Sequence, residues 1–158
     1  MPDDMPEMTH GEDPERSSAE PVVEELDEAE CLQLVARQDV GRIAYTGRFG
    51  LTVFPVNYRL HEGSIVFRTG QDSPMDEDLR TGSPHAEYQV AFEVDEIDPG
   101  TREGWSVLVH GPAHHVMSVE ERAAAAESGV APWTGGSKEQ FMQILPTRIT
   151  GRCIRRVG

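Results

Sequence analysis

The segment VFRTGQDS at residues 66–73 combines residue types that bind a phosphate monoester. Arg68 offers a guanidinium that can bind two phosphate oxygens at once, and Thr69 and Ser73 add hydroxyl donors. Ser73 followed by Pro74 is typical of a helix start, where free amide groups favour anions. The same pattern also fits an ordinary strand, turn and helix in which Ser73 only caps the helix.

The usual catalytic motifs are absent from the sequence. It contains no Gly-x-Ser-x-Gly turn, no phosphate-binding glycine-rich loop and no His-Glu-x-x-His zinc motif. His114 and His115 are adjacent, so on a strand they would point to opposite faces and could not share a metal ion. The acidic run Asp95, Glu96 and Asp98 fits a solvated strand end better than a metal site. We therefore predict no metal site, assign no catalytic side chain, and favour a cofactor that brings its own reactive group.

Most of the charge lies in one terminal segment. The 158-residue chain has a formal net charge of −14, of which −11 falls in residues 1–30. Residues 1–24 are rich in Asp, Glu, Pro and Ser and hold too few apolar side chains to offset the entropy of ordering. The sequence predicts a disordered acidic tail at residues 1–24 and one folded domain at residues 25–158.

Composition also argues against several classes of protein. No run approaches the ~20 apolar residues of a membrane span, and the acidic N-terminus lacks a secretory signal pattern, so a cytoplasmic location is expected. Four arginines between residues 148 and 156 are the nearest approach to a basic stripe, which is too little to predict nucleic-acid binding. Cys31 and Cys153, the two cysteines, favour free thiols over a bridge.

The apolar pattern predicts short strands joined mainly by hairpins, with short helices beginning after Asp27, Ser73 and Ser118. Pro55 indicates an edge or a bulge in the second strand, and Gly111-Pro112 should break or bend the fifth. The predicted strands cover residues 43–45, 51–58, 64–69, 88–94, 105–116, 141–145 and 148–154. Since no βαβ repeat is present, this order favours a mainly β protein, an antiparallel barrel with helical insertions.

This order of elements, with six short motifs, resembles the pyridoxamine 5′-phosphate oxidase-like family of split-barrel flavoproteins. The motifs in chain order are VGRIA (40–44), PVNY (55–58), VFRT (66–69), AFEVD (91–95), GWSVLVHG (104–111) and PTRITGR (146–152). The resemblance covers about residues 26–155. It implies an antiparallel split β-barrel with short helices that binds FMN, or a related deazaflavin coenzyme, at the interface of a homodimer.

The resemblance also implies which residues contact the cofactor. The strand with Asn57 and Tyr58 would run along the isoalloxazine ring, with backbone groups and the Asn57 side chain at its polar edge. Arg68 and Thr69 would hold the phosphate and ribityl end, and Ser73 would add a hydroxyl.

Trp105 and Ser106 would approach the cofactor from the neighbouring part of the dimer, although Trp105 also suits a core or interface aromatic.

The implied activity is that of an FMN-dependent oxidoreductase acting on a small organic substrate, with the protein supplying orientation and polar contacts. A non-catalytic, dimeric binding protein with a degenerate flavin site is one alternative. A deazaflavin-dependent reductase, which would need a larger groove with basic residues, is another.

The chain departs from the family pattern at the phosphate segment. Ser73 is followed by Pro74, where many relatives have a basic residue. The three acids at residues 76–78 would repel a dianionic phosphate, at about 1 kcal/mol for each close and partly exposed charge. Binding would then depend on Arg68, with Arg80. The C-terminal substrate-binding signature of the true pyridoxamine phosphate oxidases is missing, so the vitamin reaction itself is not expected.

Overall fold

The computed structural model describes residues 20–70, 73–79, 88–132 and 140–157. These residues form eight strands and three helices, in the order β1 (Glu20–Leu26), α1 (Glu28–Val35), β2 (Val40–Gly47), β3 (Gly50–His61), β4 (Ser64–Thr69), α2 (Pro74–Asp78), β5 (Tyr88–Asp98), β6 (Glu103–His115), α3 (Val119–Glu127), β7 (Gln140–Ile144) and β8 (Arg148–Val157).

Six of the strands close into an antiparallel barrel. They are neighbours in the order β6-β5-β2-β3-β4-β7, and the pairing of β7 with β6 completes the ring. β8 pairs with the other half of β6, and β1 lies outermost on β8. The predicted fold class, a mainly β split barrel with short helices, is therefore confirmed.

Two of the predicted helix caps show why α1 and α3 begin where they do. The Asp27 carboxylate accepts the Glu30 backbone N–H at 2.8 Å, and the Glu30 carboxylate accepts the Asp27 N–H at 3.1 Å. The Ser118 hydroxyl accepts the Glu121 N–H at 3.0 Å. These side chains satisfy amide groups that have no partner within the helix, which fixes its first residue.

The first strand corrects the predicted boundary of the tail. Residues 20–24 were assigned above to the disordered segment, but they belong to β1, which pairs with β8 along its whole length. All side chains of β1 except the last are exposed. Its order comes from backbone hydrogen bonding rather than from burial, which an apolar pattern does not detect. Residues 1–19 lie outside the described residues.

Pro55 occupies a local edge of the sheet, as the sequence predicted. It pairs with Arg42 of β2, whereas β4 pairs with β3 only from Tyr58 to His61. Within the described residues, β2 is therefore the one strand beside Pro55, and its missing N–H costs no hydrogen bond on the open side.

The barrel interior holds the main hydrophobic core. Tyr58 and Phe92 are fully buried there, with their rings edge to face and their centroids 5.2 Å apart. The Tyr58 hydroxyl donates a hydrogen bond to the Val35 carbonyl, which ties the end of α1 to β3. Cys31 is buried, Cys153 is half-buried, and both are free thiols.

β6 changes partners at Gly111 and Pro112, where the sequence predicted a break or a bend. It pairs with β8 as far as His110 and with β7 from Ala113, yet it runs through as one strand. A Cβ atom on residue 111 would lie 2.1 Å from the Leu145 carbonyl oxygen. Glycine therefore allows the connection between β7 and β8 to cross β6 at this point.

Candidate functional site

The end of β4 carries the two polar side chains predicted to hold a phosphate. Arg68 lies opposite Phe141 of β7, and its guanidinium carbon is 5.1 Å from the centre of the Phe141 ring. Thr69 is 4% exposed, and its hydroxyl oxygen has no hydrogen-bond partner among the described residues. A buried hydroxyl without a partner loses about 1–3 kcal/mol of hydration. This hydroxyl fits a ligand that brings its own hydrogen-bond acceptor.

Ser73 follows this strand end and begins α2, as predicted. Its hydroxyl oxygen accepts the Asp76 backbone N–H at 3.2 Å, and its own N–H donates to the Gly70 carbonyl at 3.1 Å. Pro74 takes the first helical position. The serine hydroxyl keeps one proton to donate. Arg68 and Thr69 are neighbours on β4 and point to opposite faces, so one ligand meets both only at the end of the strand, where Arg68, Thr69 and Ser73 form the donor set.

The acids of α2 have partners of their own, which offsets the repulsion expected from the sequence. An oxygen of the buried Asp76 carboxylate lies 2.6 Å from the His115 Nε2 atom. The Arg48 guanidinium donates to Glu77 at 2.9 Å and to Asp78 at 2.7 Å. The positive charge of Arg48 therefore offsets part of the negative charge of Glu77 and Asp78, while a hydrogen bond holds the Asp76 carboxylate. Arg80, which the sequence linked to the phosphate, lies outside the described residues.

Asn57 and Tyr58 point to opposite faces of β3, because side chains alternate along a strand. Tyr58 is fully buried in the core, and burial raises the pKa of its phenol well above the ordinary value. Only the backbone at this position remains available to a ligand. Asn57 is half-buried, and its side-chain nitrogen lies 3.5 Å from the Asp39 carbonyl oxygen.

Trp105 and Ser106 are half-buried near the start of β6, far from the end of β4. His115 of β6 pairs with Met142 of β7, which pairs with Phe67 beside Arg68. Trp105 precedes His115 by ten residues, about 33 Å along the strand. One chain therefore does not bring the two parts of the predicted site together.

A groove of about 380 Å³ adjoins Trp105. Two of its apolar side chains are open to solvent, Ile97 at 65% and Ile154 at 39% exposure, and Arg102 and Arg152 also line it. An apolar groove with a half-buried tryptophan can take a flat aromatic molecule or an apolar side chain of another protein molecule.

Glu93 is a carboxylic acid on the outer face of β5. It lies opposite Arg42 of β2, and one of its carboxyl oxygens is buried without a partner among the described residues. Burial, and after it the neighbouring Asp95, raises the pKa of Glu93 to about 7, against a smaller lowering effect of Arg42. Glu93 therefore holds its proton close to neutral pH.

The raised pKa of Glu93 predicts that stability falls as the pH rises. The unfolded chain releases this proton near pH 4.5 and the folded chain near pH 7, so the folded state binds more protons between these values. The free energy of unfolding therefore decreases across that window. Glu93→Gln should raise it by about 1 kcal/mol at pH 8, since water screens this partly exposed site, and leave it nearly unchanged at pH 5.

Urea unfolding at pH 5 and pH 8 measures this difference. Glu62→Gln, in the exposed turn between β3 and β4, is the matched control and should change neither value. An equal effect of Glu93→Gln at both pH values would contradict the assignment of the proton.

His115 and Arg48 are the side chains of this region that sequence reasoning missed. His115 was considered only as half of a histidine pair, and Arg48 only as part of a hairpin loop. Their partners in α2 lie 39 and 29 or 30 residues away in sequence, and no local pattern signals such contacts.

The described residues contain no cluster of His, Cys, Asp and Glu able to hold a metal ion, and none of their helices is long and apolar enough to cross a membrane.

The closed six-stranded antiparallel barrel, with β8 on the other half of β6, places the chain in the class of split-barrel folds. The model of the pyridoxamine 5′-phosphate oxidase family (Pyridox_ox_2) matches residues 27–153. The chain belongs to this family, as the sequence motifs indicated.

Known relatives support the same placement. The uncharacterized protein Rv0080 of Mycobacterium tuberculosis is 35% identical over 134 residues, which is 85% of this chain and 86% of the relative. The structure of an FAD binding protein from Mycobacterium smegmatis is 30% identical, with a TM-score of 0.67, and the match covers 85% of this chain and 100% of that one. A Corynebacterium glutamicum protein, provisionally named a pyridoxamine 5′-phosphate oxidase, is also 30% identical with a TM-score of 0.67, over 83% and 92% of the two chains.

Proposed function

We propose that the protein is a homodimeric, flavin-dependent oxidoreductase that uses FMN and acts on a small organic substrate. The observation that carries the proposal is the end of β4, where Arg68 is followed by Thr69, whose buried hydroxyl has no partner among the described residues. Membership of a family whose relatives include an FAD binding protein supports a flavin as the ligand.

Each polar residue of this region has a role in the proposal. The Arg68 guanidinium binds two oxygens of the terminal phosphate, a geometry that arginine favours. The hydroxyls of Thr69 and Ser73 donate to the phosphate or to the ribityl chain. Asn57, with the backbone of β3 beside it, contacts the polar edge of the ring. Tyr58 contributes backbone only, because its side chain is in the core.

The protein's own part in the reaction is binding and orientation. A bound flavin would supply reversible transfer of a hydride or of single electrons at its ring. The residues at the end of β4 hold the phosphate end of the flavin. The length of the flavin then determines where its ring lies. Trp105 and the apolar groove beside it exclude water from a substrate.

A second copy of the chain completes the site in this proposal. Trp105 lies about 33 Å along β6 from the level of Arg68, so it reaches a ligand on Arg68 only from a partner subunit. The exposed side chains of β3, with Leu51 at 90% and Val53 at 62% exposure, offer apolar area for that contact. An exposed apolar patch of this kind is typical of a subunit interface.

FAD is the second candidate cofactor, because the M. smegmatis relative is an FAD binding protein. FAD carries a diphosphate in place of the terminal monoester, so the β4 end would then bind an internal phosphate. A flavin-binding protein without turnover is compatible with the same contacts, and the deazaflavin coenzyme stays a further alternative.

Subunit complementation tests the cofactor and the dimer together. Arg68→Ala and Trp105→Ala each damage every site of a homodimer. A mixed dimer carries both changes in one site and leaves the other intact, so subunit exchange should restore flavin binding to about a quarter of the sites.

The measurement is an FMN and FAD titration by flavin fluorescence, with the oligomeric state followed by sedimentation. We expect a dimer that binds one flavin per subunit with micromolar affinity. A monomer, or a wild-type protein that leaves both flavins free, would overturn the proposal. If the two variants each bind flavin poorly and their mixture binds no better, the proposal that two subunits share each site is overturned.

A further inference from the structure

Two contacts fasten α2 to the barrel at different places. Asp76 reaches His115 at the end of β6, and Glu77 and Asp78 reach Arg48 in the turn between β2 and β3. A Cβ atom on Gly47, next to Arg48, would lie 2.6 Å from an Asp78 oxygen, so α2 lies close against this turn. A helix of five residues has little stability of its own and depends on such contacts.

We propose that His115 is a positioning residue of the cofactor site: through Asp76 it holds α2 so that the Ser73 hydroxyl faces a phosphate bound by Arg68 and Thr69. This inference rests on the proposed flavin site and extends it to a residue outside the donor set. It explains how a phosphate monoester binds in a segment that has three acids and no basic residue directly after Ser73.

The strand register brings His115 to the level of the donor set. His115 pairs with Met142, and Met142 pairs with Phe67, the residue before Arg68. The imidazole is 11% exposed and the Asp76 carboxylate is fully buried. A buried carboxylate keeps a fixed position only when hydrogen bonds satisfy it, so the 2.6 Å contact fixes both side chains.

Asp76 connects this contact to Ser73. Its side chain faces His115, while its backbone N–H donates to the Ser73 hydroxyl oxygen at 3.2 Å. The hydroxyl thereby accepts from within the protein and keeps its proton for an outside acceptor. Loss of His115 removes a hydrogen bond that holds the Asp76 carboxylate, and a shift of α2 that follows is passed to the Ser73 hydroxyl through this N–H contact.

The contact also matters for charge. Asp76 is an acid of the same short segment as Ser73, and its hydrogen bond to His115 fixes where this negative charge lies relative to the phosphate. Glu77 and Asp78 are held away by Arg48, on the side of the β2–β3 turn. The effect of His115 on binding should therefore be specific to an anionic ligand.

Comparison of FMN with riboflavin tests this specificity, because riboflavin has the same ring and ribityl chain but no phosphate. His115→Leu fills the side-chain volume and removes the hydrogen bond between residue 115 and Asp76. We expect it to weaken FMN binding about tenfold and to leave riboflavin binding within about twofold of wild type. His115→Gln, which keeps a donor for Asp76, should restore most of the FMN affinity.

His114→Leu is the matched control. His114 is the neighbour of His115 on β6 and points to the other face of the strand, so both affinities should stay at the wild-type values. Arg48→Ala removes the second contact of α2 with the barrel, which is more exposed than the first. It should weaken FMN binding about threefold and leave riboflavin binding unchanged. This variant keeps the test informative if His115→Leu does not fold.

The outcomes separate the two proposals. If His115→Leu and Arg48→Ala both bind FMN as tightly as the wild type, the positioning role is overturned and the flavin site stands. The same holds if the variants lose FMN and riboflavin affinity equally. A wild-type protein that binds neither ligand would overturn the proposed function, and the role of His115 with it.

Discussion

Arg68→Ala is expected to weaken FMN binding by between about tenfold and about a hundredfold. The guanidinium is the one cationic group of the donor set, and a charge-assisted, two-point contact with phosphate contributes about 1.5–3 kcal/mol. The change also removes the contact with the Phe141 ring, which orients the side chain along β7. Quenching of flavin fluorescence on titration with apoprotein measures the loss.

Controls distinguish the loss of phosphate binding from a general loss of structure. Arg155→Ala removes an exposed arginine of β8 that pairs with Glu24, and its FMN affinity should equal that of wild type. Arg68→Lys keeps the charge without the two-point geometry and should fall between the wild type and Arg68→Ala. If Arg68→Ala binds FMN as tightly as wild type, the assignment of the phosphate to the end of β4 is wrong.

Gly111→Ala is expected to destabilise the fold by about 3 kcal/mol, the largest effect we expect from a single methyl group in this chain. The added Cβ atom would lie 2.1 Å from the Leu145 carbonyl oxygen and 2.9 Å from its carbonyl carbon. Both are backbone atoms, so relief requires movement of the connection between β7 and β8. A change of this size lowers the melting temperature of a chain this long by about 10 °C.

Urea unfolding and thermal melting of Gly111→Ala test the prediction. Gly63→Ala is the control: residue 63 has a φ of +79°, and a Cβ atom there would have no neighbour within 4 Å. It should cost only the conformational strain of a left-handed residue, about 1 kcal/mol. A Gly111→Ala protein no less stable than Gly63→Ala would show that the crossing at β6 relaxes without cost.

The local features of the fold could be predicted from short stretches of sequence. The caps at Asp27 and Ser118, the proline at the start of α2 and the local edge at Pro55 depend on contacts within a few residues, and all four are present. β1 could not be predicted in this way. Its exposed side chains give no apolar pattern, and its pairing partner β8 is over a hundred residues away.

The sequence by itself determined the residue types of the candidate site and its family. Arg68, Thr69 and Ser73 lie within six residues, so the end of one strand and the start of the next helix keep them close to one another. Six motifs in the right order indicated the family, because order along the chain survives in sequence.

Only the tertiary structure decided how charge is distributed around that site. The three acids of α2 are neighbours in sequence, and counted alone they oppose a phosphate. Their partners, His115 and Arg48, come from the far end of β6 and from the β2–β3 turn. Because electrostatic interaction depends on distance in space and on burial, the closure of the barrel determines its strength here.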